Sequence, residues 1–158
     1  MDTAFEVWRP NTIQRMMMKK LIWDESYSVH VAELDQQHQK LFNLINRLYE
    51  MWESNKSGVT HLSAMDEMSV QCDVIDELEE YAVYHFTAEE EYLLKHQCPK
   101  IEQHKKSHIL FIYELQSMKK GIRFGEDITM ADMIRFLIEW LRGHVLGTDK
   151  LYDPTAQT

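Results

Sequence analysis

The sequence predicts an all-α protein, an antiparallel up-down-up-down four-helix bundle with an N-terminal arm. Three observations support this. Apolar residues recur at three- and four-residue intervals along four long stretches, the spacing that gives a helix one buried face. Glycine and proline are scarce, 5 and 3 residues, and several fall between those stretches, where they punctuate the chain. The connections are short, which favours antiparallel neighbours.

The first helix is expected over 36–54, with Asp35 as N-cap and Leu41, Leu44, Ile45, Leu48 and Trp52 on one face. Asn55-Lys56-Ser57-Gly58 closes it. The second is expected over 62–96, carrying Met65, Met68, Cys72, Ile75, Leu78 and Ala82. Cys98-Pro99 follows, and proline cannot continue a helix interior. The third is expected over 100–120, with Ile101, Phe111, Leu115 and Met118 inward, before Gly121 and Gly125-Glu126-Asp127. The fourth is expected over 130–146, with Met133, Leu137, Leu141 and Val145. Residues 1–34 read as an arm that Trp8, Trp23 and Tyr27 pack onto the bundle. The expected organisation is an extension at 1–20, the bundle at 21–152 and a tail at 153–158.

Composition narrows the function. A chain of 158 residues is one domain's worth and long enough to bury a core. With 44% hydrophobic residues it should fold on its own. A net charge of -9 with 17 Lys plus Arg argues against nucleic acid, which needs a basic face, and against an anionic lipid surface. No apolar run is long enough to insert in a bilayer, and the first 20 residues do not resemble a secretory signal. Cys72 and Cys98 are far apart and in no Cys-x-x-Cys pattern, which suits reduced thiols and a cytoplasmic setting.

The histidines carry the chemistry. His38 extends the stripe of Leu41, Ile45 and Leu48, while His85 and Glu89 extend that of Ile75, Leu78 and Ala82. His104 and His108 lie between Ile101 and Phe111, and His144 follows Leu137 and Leu141. Every expected helix thus places histidine on its buried seam. Residues four apart share a helix face, offset by about 5.4 Å, so His85/Glu89 and His104/His108 can each aim at a common ion. An isolated His-x-x-x-His pair is usually two surface or core histidines; the co-occurrence on four apolar faces carries the metal reading. Buried carboxylates and imidazoles are costly unless paired or metal-bound. Adding Asp149, five imidazoles and two carboxylates exceed one tetrahedral zinc. They suit two octahedral ions, iron first. Two bridging carboxylates and an oxo or hydroxo bridge bring the count to eleven of about twelve positions, leaving one for oxygen.

The segments Leu34-Asp35-Gln36-Gln37-His38, His85-Phe86-Thr87-Ala88-Glu89-Glu90, His104-x-x-x-His108 and Trp140-Leu141-Arg142-Gly143-His144, followed by Asp149, resemble the bacterial hemerythrins, as does Trp23-Asp24-Glu25-Ser26-Tyr27-Ser28-Val29. The resemblance spans 21–152. It implies a di-iron centre in which His104, His108 and His144 hold one iron, His38 and His85 hold the other, and Glu89 and Asp149 bridge. Dioxygen is then the ligand, bound at the two-histidine iron. It also implies an oxygen pocket walled by Leu41, Phe86, Trp140, Leu141 and Val145, residues that ordinary core packing would place inside as well.

One spacing is awkward. His144 and Asp149 are five apart, about 140° round a regular helix, so both can face one centre only if the helix widens or unwinds near 146–148. Gly147 permits that. One residue departs from the family pattern: members commonly carry glycine near the position of His30, which reads as a surface or hydrogen-bonded histidine. His61 and His96 fall at helix ends, where solvation is expected.

The leading function is reversible oxygen binding for storage, delivery or sensing, without catalysis. The alternative is a di-iron enzyme or stress protein acting as a peroxidase, in nitric oxide handling or in iron-centre repair. An interaction module is the third reading, with Met16-Met17-Met18 and Lys19-Lys20 available to a weakly bound protein recipient.

Overall fold

The computed structural model describes residues 18–154. Trp8, most of the expected extension and residues 155–158 of the tail lie outside them. Among the described residues there are four long helices and no strand: α1 Ala32–Lys56, α2 Ala64–Lys95, α3 Ile101–Arg123 and α4 Met130–Gly143. A 3-10 turn, Glu25–Tyr27, precedes them. A π-helical segment, His144–Thr148, and a 3-10 turn, Asp149–Tyr152, follow. Helix α2 packs on α1 and α3, and α1 also packs on α4. The result is a four-helix bundle.

Capping sets two of the helix starts. Ser63 and Asp66 form a reciprocal capping box on α2, and Thr129 and Asp132 form one on α4, each satisfying backbone N–H groups that the helix leaves open. Helix α1 begins at Ala32, earlier than expected, and its N-cap Val31 makes no side-chain cap bond. Asp35 is therefore not a cap. It sits in the first turn and accepts from the Ser28 hydroxyl at 2.7 Å and the Val29 N–H at 2.8 Å, tying the preceding loop to the helix. At the other end, Gly58 follows α1 with φ +75°, a left-handed conformation that suits glycine.

The core runs through all four helices, with Leu48, Ile75, Leu115, Met133, Ile134 and Leu137 almost wholly enclosed. Two residues of the expected α2 stripe fall outside it. Met65 is 75% exposed and Met68 37%. At 32 residues, α2 outruns α1 at 25 and α3 at 23, and its first turns stand clear of a partner. The segment before α1 is firmly packed. Leu21 exchanges two 2.8 Å hydrogen bonds with the Asn46 carboxamide, and Trp23 and Tyr27 meet Phe42 edge-on at 5.4 and 4.8 Å. A second apolar cluster of Val29, Leu34, Leu93 and Tyr152 closes the bundle where the 3-10 turn Asp149–Tyr152 arrives.

Leu115 is 0% exposed, so Leu115→Ala should lower stability by about 2–5 kcal/mol. Urea unfolding followed by circular dichroism measures this; a loss below about 1 kcal/mol would show that the centre of the bundle is loosely packed.

Candidate metal centre

The structure brings the seven proposed ligand side chains together. His38 comes from α1, His85 and Glu89 from α2, His104 and His108 from α3, and His144 and Asp149 from the irregular end beyond α4. All are buried, with His38, Glu89 and Asp149 at 0% exposure.

The chain reaches this arrangement by distorting after Gly143. The segment His144–Thr148 is π-helical, with its hydrogen bonds reaching one residue further than in an α-helix. The wider turn returns Asp149 to the side of His144, with Nε2 and Oδ1 at 3.0 Å. The expected widening is present, though it begins at His144. It also makes no use of glycine's freedom, because Gly147 has no positive φ.

Two groups of potential metal donors form. One is Glu89, His104, His108 and His144; the other is His38, His85 and Glu89; in each the donor atoms lie within 4.8 Å of one another. Glu89 belongs to both. Asp149 spans them too, with Oδ2 3.3 Å from His38 Nε2 and Oδ1 3.3 Å from His104 Nε2.

The spacings fit cations. Donors about 2.1 Å from one ion and at right angles to each other lie about 3 Å apart. His108 Nε2 and His144 Nε2 are 3.0 Å apart, and Glu89 Oε2 is 3.0 Å from both His104 Nε2 and His108 Nε2. Several of these atoms have no other use. Both ring nitrogens of His38 and both carboxylate oxygens of Asp149 are buried without a hydrogen-bond partner. Such atoms carry a desolvation cost that hydrogen bonding does not relieve, and ligation would.

Protonation follows from burial and mutual contact. Burial holds His85 down to about 3, in its neutral, ligand-competent form. His144 is raised to about 9, because the Asp149 and Glu89 carboxylates outweigh the opposing effect of burial. Burial pushes Glu89 upward, yet the His104, His108 and His144 rings around it hold it well below the usual carboxylate range. Burial and Glu89 likewise push Asp149 up, and His144 and His38 bring it down.

A surrounding shell orients these groups, and sequence spacing did not reveal it. The Gln37 carbonyl oxygen lies 2.9 Å from His85 Nδ1, Glu90 Oε1 2.8 Å from His108 Nδ1, and Ser107 Oγ 3.1 Å from His144 Nδ1. Each contact turns the ring's Nε2 toward the centre. The Tyr152 hydroxyl donates to Glu89 Oε1, and burial raises its pKa far above that of free tyrosine, so it stays a donor. Gln37 and Glu90 stand beside His38 and Glu89 in the sequence; that adjacency was the one available signal.

Leu41, Phe86, Leu141 and Val145 are buried and Trp140 is half-buried. Phe86 stacks on His108 at 3.7 Å and also approaches His85 at 5.6 Å. Trp140 stacks on His144 at 4.4 Å. Both rings therefore cover the three-histidine group. A cleft of about 270 Å³ lined by His104, Ser107, Gly147 and Tyr152 opens beside the same group. His61 and His96 are exposed, as expected, and His30 bonds Asp153 at 2.9 Å outside the centre.

Comparison with known proteins agrees with this geometry. Residues 29–156 match the family model described as the hemerythrin HHE cation binding domain. A bacteriohemerythrin of Clostridium acetobutylicum is 30% identical over 132 residues, covering 83% of this chain and 97% of that protein. A hemerythrin-like protein of Naegleria gruberi is 32% identical, covering 82% and 88%. A bacteriohemerythrin of Stenotrophomonas maltophilia is 29% identical, covering 85% and 80%.

The outer shell yields a prediction. Gln37→Leu removes the acceptor on His85 Nδ1 and should weaken metal affinity by about 10–100-fold, measured by competition with a chelator. Unchanged affinity would show that Gln37 has no orienting role.

Proposed function

The chain belongs to the hemerythrin family, and from that premise we propose that it binds dioxygen reversibly at a non-haem di-iron centre. One observation carries the reading: five imidazoles and two carboxylates from all parts of the bundle meet in the buried interior, grouped as three histidines and two around a shared glutamate. His104, His108 and His144 would hold one iron and His38 and His85 the other, with Glu89 and Asp149 common to both. The iron pair supplies electrons and an open coordination position for dioxygen.

The protein does the rest. Gln37, Glu90 and Ser107 fix ring orientation and tautomer, so the donor nitrogens are arranged before metal arrives. Tyr152 keeps its proton and holds the Glu89 carboxylate in place. Leu41, Phe86, Leu141 and Val145 are buried apolar groups, and Trp140 covers His144. As the wall of the oxygen pocket, these five would exclude water and protons, prolonging occupancy.

The donor set favours a carrier for storage, delivery or sensing over an enzyme. Mostly neutral imidazoles do not stabilise high-valent iron as a carboxylate-rich set does. Among the described residues no helix is long and apolar enough to cross a membrane. Cys72 and Cys98 are free thiols, which supports a cytoplasmic setting. Short connections between the helices support the up-down-up-down arrangement.

Metal analysis and absorption spectra test the proposal. A protein loaded with ferrous iron should hold two irons per chain. It should gain a visible band in air, and lose it again on deoxygenation. A band that never reverses, with peroxide turnover, would favour the enzyme instead. His104→Ala and Glu89→Ala should each lose iron and weaken the bundle. Leu41→Ala should keep iron and shorten the life of the oxygenated form several-fold, read from the decay of the same band.

A further inference from the structure

We propose that His30 and Asp153 form a clasp that positions the Asp149–Tyr152 turn, making His30 a positioning residue for the metal centre. The proposal rests on the di-iron reading and adds a residue that is neither a donor nor in contact with one.

The local geometry comes first. His30 has φ +56°, a left-handed conformation uncommon for residues that carry a side chain, although histidine adopts it more often than most. Several contacts hold it there. Its backbone N–H donates to Ser28 Oγ at 3.1 Å. Its Nδ1 lies 2.9 and 3.1 Å from the two carboxylate oxygens of Asp153. Asp153 shows only 4% side-chain exposure while His30 shows 39%, so the pair joins a buried anion to a ring that reaches the surface. Glu25 Oε1 stands 4.0 Å from the other ring nitrogen, and Lys150 Nζ 3.5 Å from Asp153.

The clasp has two anchors. On one side, Asp35 of α1 accepts from Ser28 and Val29. On the other, Lys150 donates to the Ser28 carbonyl. The loop around His30 is therefore fixed to the first turn of α1 and to the last turn of the chain's described part. Between those anchors lies the apolar cluster of Val29, Leu34, Leu93 and Tyr152.

What the clasp holds explains its use. The regular hydrogen-bond ladder of α4 gives way at His144, and Asp149 lies beyond the π segment. Its position depends on tertiary contacts more than on the helix. Tyr152, next to Asp153, reaches Glu89. A displacement at Asp153 would move Asp149, one of the shared carboxylates, and Tyr152, which touches the other.

The test uses the full chain loaded with iron. His30→Gly suits the left-handed backbone and deletes the clasp, so the fold should persist. Release of iron to a chelator should quicken about five-fold, the scale of one coupled polar pair. The oxygenated band should decay faster, while the helical circular dichroism and the Tm of the metal-free protein stay put. Asp153→Asn should act in the same direction, and the double variant should be no worse than the more severe single one. His30→Asn should recover part of the loss, since asparagine tolerates the left-handed region and its amide can donate to Asp153. Wild-type release from His30→Gly, additive effects in the double variant, or release that rises only in step with a falling Tm would overturn the clasp. Iron retention tests it whatever the oxygen spectrum shows. A loaded wild type without a reversible band overturns the functional reading alone, and a wild type that holds no iron overturns both.

Discussion

The structure is organised around one cost: seven side chains that prefer water are buried in the middle of a hydrocarbon core. Desolvation of that many ionisable groups exceeds what ordinary packing returns. Their mutual contacts offset only part of it, because both Asp149 oxygens and both His38 nitrogens are left without hydrogen bonds. A cation within each group would remove much of the remainder. Metal binding and folding would then be parts of one equilibrium, and each helix would gain a reason to hold its register beyond the packing of its apolar stripe.

That constraint reaches outward in layers. The donors would be loose without Gln37, Glu90, Ser107 and Tyr152, which fix their orientation. Those residues in turn are held by the bundle and, at its open end, by the small apolar cluster that Tyr152 joins. Aromatic rings do similar work from the side: Phe86 and Trp140 lie flat against His108 and His144, leaving those imidazoles little freedom to swing.

Much of this was legible in the sequence, for physical reasons. A 3.6-residue period is a direct consequence of helix geometry, so histidines in phase with leucines had to share a face. The awkward five-residue step from His144 to Asp149 announced a distortion, because a regular helix cannot satisfy it. Other features depend on tertiary context that spacing does not encode. Asp35 has the composition of a cap, yet the earlier helix start converts it into an anchor for Ser28 and Val29. Met65 and Met68 are in phase with the core stripe but lie on a part of α2 that no partner covers. Beyond the adjacency of Gln37 and Glu90 to His38 and Glu89, nothing in the spacing says which imidazole each orienting group would meet. His30 reads as a surface or hydrogen-bonded histidine and is both; its bond to Asp153 joins residues 123 positions apart.

The π segment has a further consequence. Such a turn takes in one more residue than a turn of α-helix, because its hydrogen bonds run from i to i+5. Around His144 and Asp149, the separation of imidazole and carboxylate is therefore governed by how many residues the chain contains there, as well as by which residues they are.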